Sequence, residues 1–269
     1  MNFPELPDLL DHCEAIAHRA GAAVMAVYET DFTVEDKPDG SPLTAADLAA
    51  NDIISRELQL LGPSLPYLSE EGASVPYGER LRWARYWLVD PLDGTREFVK
   101  RNGDFTVNIA LIEGGIPVLG VVHVPTTDTL YSAARDLGAW RTRAGQRVAI
   151  HARKAPAQPV VATSRSHRTA ALERLLSRLP AHETIGRGSS LKFCLVAQGS
   201  ADFYPRSGPT CEWDTAAGQC VAEQAGCEVV SLPEWRPLRY NTKASLINPA
   251  FAVAGDPAYN WHRFLVNEN

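Results

Sequence analysis

The chain has 269 residues, 45% of them hydrophobic, and a formal net charge of −6. That length exceeds one minimal core and fits one large α/β unit or two intimately packed halves, while the negative balance and the lack of a basic stripe exclude a nucleic-acid partner. The acids in the opening MNFPELPDLLDHCEAIAHRA argue against a secretory signal, no apolar run reaches the roughly 20 residues of a membrane span, and five cysteines without a CxxC pair disfavour a zinc knuckle or a disulfide framework.

The expected location is therefore the cytoplasm, with no transmembrane segment, and the sequence leaves the oligomeric state open. Leu9, Leu10, Cys13, Ile16, Ala17, Ala20, Val24, Val27 and Tyr28 recur at helical spacing and predict one amphipathic helix over Asp8 to Glu29. After an acidic, Pro/Gly-rich connection, Ser41-Pro42-Leu43-Thr44 opens a second helix with Thr44 as its N-cap. Asp47 then lies in the first turn, where an acid is either a partner for the helix dipole or a functional group.

Tyr67-Leu68-Ser69 reads as a short strand running into Glu70, Glu71 and Gly72. Adjacent strand residues point to opposite faces, so at most one of the two glutamates aims at a given metal, and a solvated turn is the alternative. Tyr86 to Val89 is a buried strand that delivers Asp90, Pro91, Leu92, Asp93, Gly94 and Thr95 to its C-terminal end. Pro91 lacks an N–H and Gly94 tolerates positive φ, so the chain is expected to leave the sheet there sharply. Two carboxylates beside exposed amides suit a Mg²⁺-bound phosphate, and the alternative is an Asp-Gly that merely closes a loop.

Phe105 to Ile112 and Ile116 to Val124 form a predicted hairpin around Glu113-Gly114-Gly115, and Tyr131 to Ala134 and Ala139 to Arg143 continue the strand character. A compositional shift over Ala152 to Pro159 suggests a division into 1–153, two helices and a mainly antiparallel sheet, and 154–269, an α/β half. The second half alternates strand Val160 to Thr163, helix Ala170 to Leu179, helix Ser190 to Gln198, strand Asp202 to Tyr204, helix Asp214 to Ala225 and strand Glu228 to Ser231. Ile185 to Lys192 is a glycine-rich approach to a helix, friendly to an anion or simply a solvated cap. Arg206 is expected in a turn, where a surface charge is the plain reading, and Asp214, which precedes the Ala/Gly-rich helix, reads as its N-cap. No histidine pair has metal-ligand spacing, and His167, beside Arg165 and Arg168, is the one of interest.

The segments LSEEG, DPLDGT and WDTAAGQCVAEQAG, in this order, resemble the inositol monophosphatase superfamily of Mg²⁺-dependent, lithium-sensitive phosphatases. SPLTAAD, WLVDPLDGTREFVKRNGDFTVNIALIEGG, SRSH and GSSLKFCLVAQG are similar to its bacterial 3'(2'),5'-bisphosphate nucleotidase branch, which serves sulfur assimilation and nucleotide recycling. The resemblance implies a five-layer α-β-α-β-α sandwich and two or three Mg²⁺ ions. It implies metal ligation by Glu70, Asp90, the Leu92 carbonyl, Asp93 and Asp214, and catalysis by Thr95 held by Asp47, with Glu70. It places Glu70, Leu92, Asp93, Gly94, Thr95, Ser189, Lys192, Arg206 and Asp214 around the substrate, Lys192 and Arg206 meeting a second phosphate.

The implied reaction removes the 3'-phosphate of adenosine 3',5'-bisphosphate by in-line attack of water. An aspartyl-nucleophile phosphatase would need acids two apart, whereas Asp90 and Asp93 are three apart with Pro91 between them. The competing readings are an inositol or sugar monophosphatase, which shares the metal motifs, and a non-catalytic nucleotide-binding or scaffold protein, which would be expected to lose ligands. Some relatives of the superfamily are peripheral on the cytoplasmic face of the bacterial inner membrane, a placement that no basic amphipathic helix here supports.

Overall fold

The structure is a computed structural model that describes residues 4–37, 42–72, 74–165 and 169–265. Ser41, His167 and Arg168 lie outside the described residues. The chain begins with α1 (Leu6–Tyr28), a two-residue ladder of β1 (Glu35–Asp36) with β2 (Pro42–Leu43), and α2 (Ala45–Gln59). Then follow β3 (Tyr67–Ser69), the single turn α3 (Tyr77–Arg80), β4 (Arg85–Asp93) and the short helix α4 (Thr95–Val99). β5 (Thr106–Glu113), β6 (Ile116–Val124), β7 (Thr129–Ala134), β8 (Gly138–Arg143) and β9 (Gln146–Ala149) complete a seven-stranded sheet in chain order, antiparallel except for the β3–β4 pair.

The remaining elements are β10 (Val160–Ser164), α5 (Ala170–Leu176), β11 (Glu183–Arg187), α6 (Leu191–Ala197), β12 (Phe203–Arg206), α7 (Ala216–Gln224), β13 (Glu228–Ser231), β14 (Arg236–Pro237) and β15 (Phe251–Ala254). They give a second, mixed sheet in the order β11-β10-β12-β15-β13-β14. The edge strands β9, β11 and β14 and the central β15 are absent from the sequence reading. Ile185 to Arg187, read as a loop approach, are strand residues pairing in parallel with β10.

Three buried clusters define the layering. Leu9, Cys13, Ile16, Ala17, Ala20 and Val24 of α1, with Ala46, Ala50 and Ile54 of α2, pack on Val107, Ile109, Leu119 and Val121 of the first sheet. Its other face, carrying Leu88, Ala110, Ile112 and Val122, meets α6 and α7 through Phe193, Cys194, Ala217, Cys220 and Val221. Beyond them the second sheet buries Val161, Phe203, Val230 and Ala252 against Leu172 and Leu176 of α5 and against Trp261. The result is a five-layer α-β-α-β-α sandwich. The middle layer is tight because its residues are small: a Cβ on Gly120 would come within 2.5 Å of the Ala217 carbonyl, so β6 accepts α7 only with glycine there.

No helix among the described residues is long and apolar enough to cross a membrane. All five cysteines are free, and burial pushes the Cys227 thiol up to about 12, consistent with a packing role. His123 of β6 is also buried, against α1, and desolvation lowers it to about 4, so the ring is neutral at physiological pH.

Candidate active site

The strand carrying the acids does not stop at Val89. It continues to Asp93, pairing Asp90 with Asn108 and Asp93 with Thr106, with a register shift between the two pairs. Pro91 falls in that irregularity, which is how a strand tolerates a residue without an N–H. The expectation of a sharp exit with free amides is corrected accordingly: the Leu92 N–H is donated to Asp90 Oδ1 at 3.1 Å. The chain turns one residue after the strand, at Gly94, whose φ of +91° lies in the left-handed region. Gly94 and Thr95 open α4, where first-turn N–H groups have no intrahelical acceptor and face an anion favourably.

Three carboxylates from different elements converge. Glu70, just beyond β3 and held by its own N–H on the Val89 carbonyl at 3.2 Å, offers an oxygen within 4.8 Å of oxygens of Asp90 and Asp214. Asp90 is 1% exposed, and its Oδ2 is buried without a hydrogen-bond partner among the described residues. An ionised oxygen so placed has a large desolvation cost that only a proton or a cation removes. Burial, and after it the charges of Glu70 and Asp93, holds the Asp90 carboxyl well above the ordinary range. Burial does the same to Asp214, followed by the charges of Asp93 and Glu70. Hard oxygen donors, several like charges and an orphaned oxygen fit a divalent cation, whose charge would reverse these shifts.

Asp93 faces the same cleft but is tied to the second half of the chain. Its Oδ2 accepts the Ser190 N–H at 2.7 Å and lies 2.8 Å from the Ser190 hydroxyl, with Asn108 Nδ2 at 3.4 Å. Asp214 does not cap α7, correcting that alternative. It ends a 3₁₀ turn, Glu212–Asp214, and its Oδ2 accepts the Cys211 N–H at 2.8 Å, so the carboxylate is turned away from the helix axis toward the other acids.

Asp47 uses its two carboxylate oxygens on different partners. Oδ2 closes a capping box with the Thr44 N–H at 2.8 Å and the Thr44 hydroxyl at 2.7 Å, while Oδ1 faces the Thr95 hydroxyl at 3.2 Å. The Thr95 hydroxyl also stands 3.2 Å from the Leu92 carbonyl, so its single proton has two acceptors. Asp47 is raised by burial, against the lowering pull of the Thr44 hydrogen bonds.

Glu70, Asp90, Leu92, Asp93, Gly94, Thr95, Ser189, Lys192, Arg206 and Asp214 all line one cleft of about 510 Å³. Ser189 has a φ of +43° and a buried hydroxyl without a partner. Lys192 is buried, and two of its three protons go to the carbonyls of Arg187 at 3.2 Å and Ser189 at 2.6 Å. Burial lowers it to about 8, with the charge of Asp93 opposing. Arg206 is the last residue of β12 and not part of a turn, and its guanidinium is steadied by the Gly208 and Pro209 carbonyls at 3.2 and 3.1 Å.

Two contributors escaped the sequence reading. Lys37 donates to Glu70 at 2.6 Å and to Glu71, so Glu71 anchors the lysine while Glu70 reaches the acid cluster. Asp104 accepts the Gly188 N–H at 3.0 Å and pairs with Arg165 at 3.2 Å, fixing the loop that leads to Ser189. Neither has a local pattern around it in the chain.

Residues 6–258 match the inositol monophosphatase family. The chain is 50% identical over 252 residues to the 3'(2'),5'-bisphosphate nucleotidase CysQ of Escherichia coli strain K12, covering 91% of this chain and 99% of that protein. It superposes on the crystal structure of CysQ from Bacteroides thetaiotaomicron with a TM-score of 0.81 and 39% identity, covering 91% and 97% of the two chains. The inositol monophosphatase of Anabaena sp. PCC 7120 shares the fold, with a TM-score of 0.73 at 24% identity over 97% of this chain and 95% of that one. The coverage of both partners and the carboxylate cluster agree: the chain belongs to the inositol monophosphatase family, whose members are generally Mg²⁺-dependent.

Proposed function

We propose that this chain is a Mg²⁺-dependent phosphatase that hydrolyses the 3'-phosphate of adenosine 3',5'-bisphosphate to AMP and phosphate. The observation that carries the reading is the convergence of Glu70, Asp90 and Asp214 around the unpartnered Asp90 Oδ2, on the floor of a cleft whose wall holds Lys192 and Arg206. The substrate follows from relatives near 50% identity that bear the name 3'(2'),5'-bisphosphate nucleotidase.

Glu70, Asp90, the Leu92 carbonyl, Asp93 and Asp214 would hold two or three Mg²⁺ ions. Magnesium bound there supplies neutralising charge to the phosphoryl oxygens and acidifies water. The chain's own part is orientation. Thr95, 3.2 Å from Asp47, is placed to accept a proton from water while donating its own to the carboxylate, and the buried capping box keeps Asp47 from rotating away. The Gly94 and Thr95 amides at the start of α4 would donate to the oxygens of the transferred phosphoryl group. Ser189 offers an unused buried hydroxyl to the substrate.

The deciding experiment measures phosphate release from adenosine 3',5'-bisphosphate, AMP, inositol monophosphate and a sugar phosphate, with Mg²⁺ and with EDTA. Mg²⁺-dependent turnover strongest on the bisphosphate supports the proposal. Preference for inositol or sugar phosphate would reassign the substrate, and binding without turnover on any of them would make the chain a nucleotide-binding protein.

A further inference from the structure

Where β6 packs on α1, three side chains outside the cleft lining meet at one point. His18 Nδ1 of α1 lies 3.2 Å from Asp128 Oδ1, and His123 Nε2 of β6 lies 3.2 Å from the same oxygen. The three donor atoms are mutually within 4.8 Å, and the two rings are 4.6 Å apart. We propose that His18, His123 and Asp128 form a second metal site, separate from the phosphatase centre, for a borderline-soft divalent cation of the Zn²⁺ or Co²⁺ type.

The spacing is the first argument. A four-coordinate ion with bonds of about 2.1 Å to imidazole nitrogen and carboxylate oxygen holds neighbouring donors roughly 3.4 Å apart, close to the two 3.2 Å separations from Asp128, and the two imidazole donors lie within 4.8 Å of each other. Two imidazoles and one carboxylate also select this class of ion over Mg²⁺, which prefers oxygen and suits the other site. Asp128 is largely exposed, leaving a fourth position open to water, as three-ligand zinc sites do.

The second argument is the proton on His123. Its Nδ1 is buried against α1 with no hydrogen-bond partner among the described residues. With the proton on that inner nitrogen, Nε2 points a lone pair at an ionised carboxylate. With the proton on Nε2, a lone pair is buried facing the helix. A cation on Nε2 leaves the proton on the inner nitrogen and puts positive charge between the lone pair and the carboxylate, which removes the first conflict and avoids the second.

The third argument is that the chain is shaped around the ring. Gly21 sits inside the 23-residue α1, where glycine costs about 1 kcal/mol relative to alanine. A Cβ at that position would stand 2.3 Å from His123 Nδ1. Asp128 in turn is held at φ +44°, in the left-handed region, by the 3₁₀ turn Pro125–Thr127. Metal here would clamp the middle of α1 to the turn that follows β6.

The test is equilibrium dialysis of the full chain against Zn²⁺ or Co²⁺ in excess Mg²⁺, followed by elemental analysis and, for Co²⁺, visible spectroscopy. One equivalent is expected to remain bound, with the intense bands of four-coordinate nitrogen-ligated Co²⁺, in wild type and in Asp93→Asn alike. His18→Ala and Asp128→Asn, both at the exposed rim where folding is little affected, should weaken it at least tenfold. His123 is left unmutated because its loss would open a cavity under Gly21. No retained equivalent in wild type, or undiminished binding in both rim variants, overturns the site. Binding lost in Asp93→Asn but kept in the rim variants assigns the ion to the phosphatase cleft and overturns it as well.

Discussion

Asp93 and Ser190 are joined twice on one carboxylate oxygen, by the backbone N–H at 2.7 Å and the hydroxyl at 2.8 Å. This is where the second half of the chain takes hold of the strand that carries the metal-directed acids. The same serine hydroxyl lies 3.1 Å from the Asp214 carbonyl and 2.7 Å from Asn108 Nδ2, so one side chain relates three elements around the cleft. Groups behind a metal ligand fix its orientation, and their loss typically costs about 10- to 100-fold in affinity. Ser190→Ala should therefore raise the Mg²⁺ concentration for half-maximal activity by about that factor while largely sparing kcat at saturating Mg²⁺. A Mg²⁺ titration of phosphate release that superposes on wild type would separate Asp93 from the metal.

Thr95 and Asp47 are expected to behave as one unit. The hydroxyl orients water only if the carboxylate takes its proton, and the carboxylate does nothing for water without the hydroxyl. Thr95→Ala, Asp47→Asn and the double variant should show similar losses in kcat, each on the order of 10²-fold or more. Asp47→Asn also weakens the capping box with Thr44, so its melting temperature should fall where that of Thr95→Ala does not. Losses that multiply in the double variant would reduce Asp47 to a helix cap.

The carboxylate cluster sets up a conflict between stability and function. Asp90 and Asp214 have folded-state values raised by burial first and by neighbouring acids second. A raised acid contributes stability that is present below its unfolded value, near 4, and is lost as pH rises toward the folded value. The metal-free protein should thus lose stability from about pH 4 upward, and the gain in melting temperature on adding Mg²⁺ should grow over the same range. Asp90→Asn removes one buried charge and retains the acceptor for the Leu92 N–H. It should raise the melting temperature in EDTA at pH 8 by at least about 2 °C, on the order of 1 kcal/mol for a chain of this size, while abolishing turnover. A lower melting temperature in EDTA would mean that Asp90 is stabilised by a partner other than a metal.

The legible part of this site was the part concentrated in the chain. Asp90, Asp93, Gly94 and Thr95 are near neighbours whose residue types already state a turn with acids, and Glu70 follows a recognisable strand, whereas Asp214 reads locally as a helix N-cap and enters the ligand set only through the family resemblance. What was illegible depends on separation. Lys37 lies in an acidic connection with no periodicity, yet the fold delivers it to Glu70 and Glu71. His18, His123 and Asp128 show no metal-ligand spacing because α1, β6 and the turn after β6 meet only when the helical layer docks on the sheet. Pro91 misled for a different reason: a residue without an N–H signals the end of a strand, and only the partner strand's register reveals an irregularity instead. β15 is four apolar residues after Asn-Pro-Ala, too short to distinguish from a buried loop until β12 and β13 are seen to flank it.

The last prediction concerns how a protein of net charge −6 accepts a bisphosphate. If the acid cluster and a bound metal take the phosphate being cleaved, as proposed, the second dianion must meet cations elsewhere on the cleft wall, where Lys192 and Arg206 stand. Lys192 keeps one proton free after donating to Arg187 and Ser189, and burial brings it down to about 8. A lysine lowered in the folded state is protonated below that value and neutral above it, so its attraction for an anion fades as pH rises through about 8. The kcat/KM for adenosine 3',5'-bisphosphate should therefore show a descending limb near pH 8 that is weaker for a monophosphate lacking the second anion. Lys192→Ala and Arg206→Ala should each lower kcat/KM for the bisphosphate at least tenfold more than for the monophosphate, since losing one partner of a desolvated charge contact costs about 2 to 5 kcal/mol. In Lys192→Ala the substrate-specific limb should vanish, and in Arg206→Ala it should persist, because guanidinium does not titrate in this range. Equal losses on the two substrates, with the limb unchanged in Lys192→Ala, would make Lys192 only the strut that holds the 187–189 loop in place.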